Sequence, residues 1–200
     1  MTDKQKWWFE WYYARYYQPH NFRFPSFWSA MLMLWQISDY NRIIVETGCQ
    51  RAKPDLGSGE STFIFANFCK NFGGKLITVD NNDEYLRTAR RIASDCFGYV
   101  EFVLDDSISF LSGFDDEINL LYLDSCDYDV NNPLFSQEHS LKEIEAGFNK
   151  MANPAIVLLD DINFGDFGKG ALSRQYLIEH GCLELYLHQQ SIFLKEKMSE

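Results

Sequence analysis

The chain has 200 residues, of which 46% are hydrophobic and 24% are charged, a globular composition that excludes a disordered or fibrous protein. Its 29 Asp and Glu residues outnumber 18 Lys and Arg residues, so the formal net charge is −11. This acidity argues against a nucleic-acid partner or an anionic membrane surface and is compatible with a cationic ligand. The length predicts one domain over residues 1–200.

Cysteine usage and hydropathy predict a cytoplasmic protein. The five cysteines are odd in number and show no CxxC or Cys/His ligand spacing, which indicates reduced thiols in a reducing compartment. The N-terminus lacks the apolar stretch of an export signal. The longest mostly apolar run, residues 27–37, is too short to span a bilayer.

Residues 1–40 are predicted to form a helical extension or lid that is rich in aromatic side chains. Trp8, Trp11 and Tyr12 follow helical spacing, and Pro25-Ser26 marks the start of a second helix. Aromatic rings at this spacing serve core packing more often than ligand recognition. Two other uses stay open, a roof over a cationic ligand and a subunit contact in a homo-oligomer.

Residues 41–200 are predicted to form an α/β core. Short apolar runs alternate there with helical stretches, which is typical of a doubly wound, mostly parallel, Rossmann-like sheet with helices on both faces. Five buried strands are expected at residues 42–46, 75–80, 99–104, 119–124 and 155–160. The helices between them are expected at residues 61–72, 83–97, 108–111 and 136–151. Runs at 182–187 and 191–194 predict a C-terminal antiparallel hairpin, giving seven strands in all.

Acidic residues stand at or just beyond the carboxyl end of each of the five strands. They are Glu46, Asp80, Asp105-Asp106, Asp124 and Asp160-Asp161. Asp is also common in the turns and helix caps that follow strands, which is the simpler explanation. Converging like charges are costly unless a cationic or hydroxyl-bearing group lies among them. We therefore expect the ligand site at this edge of the sheet.

Glycines follow the first strand at Gly48 and again in Gly57-Ser58-Gly59. A glycine between a strand and a helix lets the backbone approach a ligand closely, and Ser61 or Thr62 can cap the helix that follows. Asp80 ends the second strand about 20 residues later, the spacing at which an acidic residue holds a ribose diol. The alternative for Asp80 is a turn or helix-cap residue.

With these motifs, residues 41–196 resemble a class I S-adenosylmethionine-dependent methyltransferase. The resemblance implies that the glycine turns surround the methionine portion of the cofactor, that Asp80 holds the ribose and that Asp106 and Ser107 contact the adenine. In this family Glu46, Gly48, Gly57 and Gly59 would contact the methionine portion, and Ser61 would also bind the cofactor. The stretch between Thr47 and Ser58 is longer than the compact turn of the family, and its Arg51 could meet the cofactor carboxylate.

A second resemblance is to the metal-dependent O-methyltransferases, including the catechol type and the cephalosporin-hydroxylase-like group. Their acidic residues after the fourth and fifth strands correspond here to Asp124, Asp160 and Asp161, which implies a site for Mg²⁺, a cation that prefers oxygen ligands. Alternatively, Asp124 contacts cofactor or substrate directly and Asp160 is a buried, capped carboxylate. The catechol type carries a Lys shortly after the fourth strand, where this chain has none. Lys169, between two glycines, could reach the pocket, but the favoured expectation is a solvated residue in a flexible turn.

The candidate catalytic residues are Asp124, His139 and Asp161. His139 can reach the same edge and has the ordinary pKa of a general base, although it also suits the start of a helix. Without a metal, His139 or Asp127 would serve as the base. The pattern favours methylation of a small-molecule or sugar-like hydroxyl. A nicotinamide-dependent oxidoreductase, which would want a third glycine, and a non-catalytic cofactor-binding protein remain alternatives.

Overall fold

A seven-stranded sheet forms the centre of the computed structural model, which describes residues 1–17, 21–52 and 60–196. The strands are β1 (Ile43–Thr47), β2 (Lys75–Asp80), β3 (Val100–Leu104), β4 (Ile118–Leu123), β5 (Met151–Leu159), β6 (Leu183–Leu187) and β7 (Ser191–Lys195). Their order across the sheet is β3-β2-β1-β4-β5-β7-β6. The first five strands pair in parallel, whereas β7 pairs antiparallel with both β5 and β6. The predicted fold class and the C-terminal hairpin are confirmed.

Seven α-helices are present in the described ranges. They are α1 (Asp3–Tyr16), α2 (Phe24–Ile37), α3 (Ser61–Phe72), α4 (Asp83–Ile92), α5 (Ser107–Gly113), α6 (Pro133–Gly147) and α7 (Ala171–Glu179). Successive strand residues point to opposite faces, so the fully buried Ile44 and Val45 belong to two different hydrophobic clusters. Helices α1, α2 and α3 contribute to the first cluster, and α5, α6 and α7 to the second. This two-sided burial explains why the strands are nearly continuous in apolar residues.

Several predicted boundaries were wrong. The helix expected at 83–97 ends at Ile92 and continues as a short 3₁₀ helix over Ser94–Tyr99. The helix expected at 136–151 begins at Pro133, whose fixed φ suits the first helical turn, and gives way to β5 at Met151. Helix α7 was not predicted.

The N-terminal helices are confirmed, and many of their aromatic rings serve the core. Trp8 packs edge-on against Phe68 and Phe72, with centroid distances of 5.5 and 5.3 Å. Phe27 packs against Tyr122 of β4 at 5.5 Å. Trp7 on the outer face of α1 is exposed, so a subunit contact there stays a prediction. Within the described ranges, no helix is both long enough and apolar enough to cross a membrane.

Candidate functional site

The carboxyl ends of the parallel strands are held together by backbone hydrogen bonds that reach one residue beyond the ladder. The N–H of Asp124 donates to the carbonyl of Thr47 at 3.0 Å, and the N–H of Asp160 donates to that of Leu123 at 3.2 Å. The N–H of Asp105 likewise donates to the carbonyl of Asp80 at 3.3 Å. The acidic residues that follow the strands therefore begin from fixed backbone positions.

Gly48 makes the turn that leaves β1. Its φ is +79°, and a Cβ at this position would overlap the backbone oxygen of Asp124. A side chain is therefore excluded by both the backbone conformation and the approach of the loop after β4. The turn brings the two loops that flank the site into direct contact.

A cleft of about 190 Å³ opens beside this turn. Its walls come from the carboxyl ends of β1, β2 and β3, from the loop after β4 and from α6. The residues that line it include Gly48, Asp80, Asp106, Ser107, Ser125 and His139. The structure thus brings together four residues predicted to bind the cofactor. Two others, Gly57 and Gly59, lie outside the described residues.

Asp80 occupies the floor of the cleft. One carboxylate oxygen accepts hydrogen bonds from the backbone N–H and the thiol of Cys49, both at 3.2 Å. The other accepts from the N–H of Asn82 at 2.8 Å, while Asn82 itself caps α4. Asp80 thus accepts hydrogen bonds within a local turn, as the alternative interpretation predicted, and it also faces the cleft.

Glu46 is fully buried within β1. Thr62 donates a 2.7 Å hydrogen bond to one carboxylate oxygen, and the other has no hydrogen-bond partner in the described part of the chain. Burial raises the pKa of Glu46 to about 7, against the opposing effect of the hydroxyls of Ser61 and Thr62. The predicted cap at Ser61 or Thr62 was wrong, because the residue before α3 is Glu60 and no side-chain cap is present among the residues that the structure describes.

His139 lies on the side of the cleft that holds Ser107. Its Nε2 is 3.0 Å from Oγ of Ser125, 3.4 Å from Oγ of Ser107 and 3.6 Å from a carboxylate oxygen of Glu143. The nearby carboxylate of Glu143 raises the pKa of His139 and so favours the protonated ring. Asp106 instead caps α5, accepting from the N–H of Ser109 at 2.9 Å. His139 is therefore placed with the predicted adenine-binding residues.

Asp127 is paired with Arg51. The guanidinium donates to the carboxylate at 2.9 Å and lies 5.1 Å from the ring centroid of Tyr85. The hydrogen bond from Arg51 lowers the pKa of Asp127, which makes this carboxylate a weaker base.

The carboxylates after β4 and β5 meet two basic side chains. We call the group of Arg23, Asp124, Asp160, Asp161 and Lys169 the charged cluster. Nε of Arg23 lies 3.0 Å from both carboxylate oxygens of Asp160, and its Nη2 donates to Asp161 at 2.8 Å. Nζ of Lys169 donates to Oδ1 of Asp124 and lies 3.6 Å from Oδ2 of Asp161.

The expectation for Lys169 was wrong. Its side chain is only 4% exposed. Gly168 has φ +50°, and a Cβ there would overlap the backbone oxygen of Asp161, which also accepts from the N–H of Lys169 at 3.3 Å. The glycine thus lets the loop after β5 fold back and direct the lysine inward. In the sequence, the two glycines that flank Lys169 were the sign that the loop could fold back in this way.

Tyr122 contacts two carboxylates of the charged cluster, a role that no pattern in the sequence indicated. Its hydroxyl lies 2.7 Å from Asp160 and 3.1 Å from Asp124, and it accepts from the amide of Gln190 at 3.2 Å. Burial is the main effect that raises the pKa of Asp124, and the negative charge of Asp160 raises it further. Burial also acts to raise the pKa of Asp160, but the charges of Arg23 and Lys169 hold it below its ordinary value.

The charged cluster does not fit Mg²⁺. No group of three or more His, Cys, Asp or Glu side chains is placed to hold a metal ion in the part of the chain that the structure describes. Mg²⁺ needs near-octahedral oxygen ligands at about 2.0–2.1 Å. The carboxylates of Asp124 and Asp160 instead bind Lys169 and Arg23.

Comparison with known proteins identifies the family and the fold. A family model described as a methyltransferase domain matches residues 55–162, more than half of the chain. The chain belongs to this methyltransferase family. It is a class I S-adenosylmethionine-dependent methyltransferase, and the nicotinamide-dependent alternative is set aside. No curated protein matches the methyltransferase.

Three solved structures show the same fold as the methyltransferase. An rRNA methylase from Streptococcus thermophilus is 13% identical with a TM-score of 0.55, covering 86% of this chain and 95% of that one. A Podospora anserina methyltransferase bound to S-adenosylhomocysteine is 15% identical with a TM-score of 0.59, covering 98% and 89%. An S-adenosylmethionine-dependent O-methyltransferase from Thermotoga maritima is 14% identical with a TM-score of 0.55, covering 88% and 66%.

Proposed function

We propose that this enzyme transfers the methyl group of S-adenosylmethionine to a hydroxyl oxygen of a small molecule. The observation that carries the proposal is the position of the cleft. Ser125, the residue after Asp124, lines the cleft, and the backbone of Asp124 contacts the turn at Gly48. The carboxylates of Asp124 and Asp161 are partly exposed and so accessible to a second molecule.

The residues in and next to the cleft fit the cofactor. Glu46 has a buried carboxylate oxygen without a partner among the described residues, and Gly48 lines the cleft without a side chain. These two residues, with Ser61, would hold the methionine portion. Asp80 would hold the ribose hydroxyls, and the adenine would meet Asp106, Ser107 and His139. When bound, the cofactor supplies a methyl group activated by positively charged sulfur.

Two carboxylates of the charged cluster are suited to the acceptor. The side chains of Asp124 and Asp161 are 27% and 20% exposed, whereas Lys169 lies buried behind them. Either carboxylate can accept a hydrogen bond, and then the proton, from an acceptor hydroxyl. The fixed positions of these groups serve the main task in methyl transfer, which is to orient the acceptor and exclude water.

The charge of the site favours a neutral or cationic small molecule over RNA. The structural neighbour from Streptococcus thermophilus is described as an rRNA methylase, so RNA is the natural competitor. However, Asp105, Asp106 and Asp127 are exposed around the cleft, and the whole chain carries a net charge of −11. These charges repel a phosphate backbone. The free cysteines favour a reducing compartment, the cytoplasm.

Calorimetric titration tests the cofactor site. We expect S-adenosylhomocysteine to bind and NAD not to bind. Asp80→Asn removes a charged acceptor of hydrogen bonds, a change that typically costs about 1.5–3 kcal/mol, so the affinity should fall about tenfold to a hundredfold. Asp116→Asn, at the opposite end of the sheet, is the matched control. Unchanged affinity in Asp80→Asn would contradict the assignment of the ribose site.

Transfer of a labelled methyl group tests the acceptor. The enzyme is incubated with labelled S-adenosylmethionine and separate sets of phenols, catechols and sugars, and with ribosomal RNA. We expect label in a hydroxyl-bearing small molecule. Label in RNA alone would overturn the proposed substrate class, and binding of the cofactor without transfer to any acceptor would favour a non-catalytic protein.

A further inference from the structure

We propose that Lys169 and Arg23 take the place of the divalent cation that the acidic pattern after β4 and β5 implies. These two basic side chains neutralise and position the carboxylates that a metal ion would otherwise bind. The inference rests on the proposed function only in placing the acceptor at Asp124 and Asp161. The inference is supported by the ion pairs between the basic and acidic side chains of the charged cluster.

Each carboxylate of the charged cluster has a basic partner. Arg23 approaches both oxygens of Asp160 and also binds Asp161. Lys169 binds Asp124 and approaches the second oxygen of Asp161. The ammonium group therefore joins the loop after β4 to the loop after β5, as a bridging metal ion would. The remaining oxygen of Asp124 meets the hydroxyl of Tyr122.

Burial makes these cations difficult to displace. The side chains of Arg23 and Lys169 are 10% and 4% exposed, and that of Asp160 is fully buried. A metal ion that bound the same oxygens would leave one or both cations buried without a counter-charge, which is strongly unfavourable. The metal would also need several oxygens at short range, whereas the carboxylates are arranged around nitrogen donors.

Both cations are held by their own segments. The turn at Gly168 and the bond from the N–H of Lys169 to Asp161 keep the lysine directed inward. Arg23 directly precedes α2, and its carbonyl accepts a 2.9 Å hydrogen bond from Ser26. We therefore assign Lys169 and Arg23 as positioning residues that fix the carboxylates facing the acceptor.

Binding of Mn²⁺, followed by electron paramagnetic resonance on the full chain, tests the inference. The wild-type enzyme should bind no Mn²⁺ below millimolar concentration. Lys169→Met should uncover the carboxylates and bind Mn²⁺ at least tenfold more tightly, whereas Lys169→Arg should keep the site closed. Lys142→Met, which removes an exposed lysine of α6, is the matched control and should behave as wild type.

The wild-type measurement decides the question even if Lys169→Met fails to fold. Micromolar binding of Mn²⁺ to wild type that is lost in Asp161→Asn would overturn the proposal, as would a folded Lys169→Met variant that binds no better than wild type. S-adenosylhomocysteine binding is measured on the same samples. Its absence would count against the proposed cofactor site, whereas the Mn²⁺ result would still stand.

Discussion

The cleft and the charged cluster occupy the same edge of the sheet and are both acidic, yet their carboxylates have different partners. Among the described residues, no Lys or Arg forms an ion pair with Glu46, Asp80 or Asp106, which use hydroxyl, thiol and backbone N–H donors. In the charged cluster, Arg23 and Lys169 pair with the carboxylates. Acidic residues at one edge of a sheet can therefore stay available to a ligand or be neutralised by basic side chains of the same chain, depending on what packs against them.

The largest effect is expected from Arg23→Met, which leaves the buried carboxylate of Asp160 without its main counter-charge. Breaking a buried ion pair from one side typically costs about 3–5 kcal/mol, and we expect a loss of that size in the free energy of unfolding, measured in urea. The double variant Arg23→Met/Asp160→Asn should recover part of it.

Arg87→Met is the matched control for that experiment. Arg87 forms an exposed pair with Asp83 at 2.7 Å on α4. Exposed pairs contribute at most about 1 kcal/mol, so this variant should be nearly as stable as wild type. Equal losses in the two arginine variants would show that the charged cluster does not depend on burial.

Glu46→Gln tests the buried carboxylate of β1 through the pH dependence of stability. The folded-state pKa of about 7 lies above the ordinary value of 4.5, so ionisation of Glu46 disfavours the folded state. The wild type therefore loses stability from this group as pH rises from 4.5 to 7, and the full penalty, about 3 kcal/mol at most, remains above pH 7.

The glutamine variant stays neutral, so its stability relative to wild type should increase over the same pH window and level off above it. Urea denaturation of both proteins at pH 5, 6, 7 and 8 measures the difference. A difference that does not change with pH would mean that Glu46 is not held in a buried, uncompensated position.

Gly48→Ala tests the turn that joins the two regions. The alanine would need a left-handed backbone and would meet the oxygen of Asp124, so we expect a loss of about 1–3 kcal/mol in thermal or urea unfolding. Gly113→Ala is the control, because a Cβ there meets no described atom within 4 Å. Similar stability in both variants would argue against the close contact at Gly48.

The smallest effect is expected for Asp127→Asn. Its pair with Arg51 is largely exposed, so the free energy of unfolding should change by less than about 1 kcal/mol. A loss similar to that of Arg23→Met would remove the distinction between an exposed pair and the charged cluster.

Much of the cleft could be predicted from local patterns in the sequence. Gly48, Asp80, Asp106 and Ser107 each follow or end a recognisable strand, and parallel strands bring such residues to one edge. The partners in the charged cluster could not be predicted in this way. Arg23 precedes a helix more than a hundred residues before Asp160, and Tyr122 looks like an ordinary strand residue.

The parallel sheet, its terminal hairpin and the row of acidic residues can be predicted from the sequence, because strand burial and chain reversal leave periodic, local signals. Which of those carboxylates gain a counter-charge depends on tertiary packing. That outcome depends on where α2 and the loop after β5 pack, and a backbone turn such as the one at Gly168 can move a lysine from solvent into the interior. Local composition cannot specify such long-range pairing, since the same Gly-Lys-Gly segment is compatible with either position.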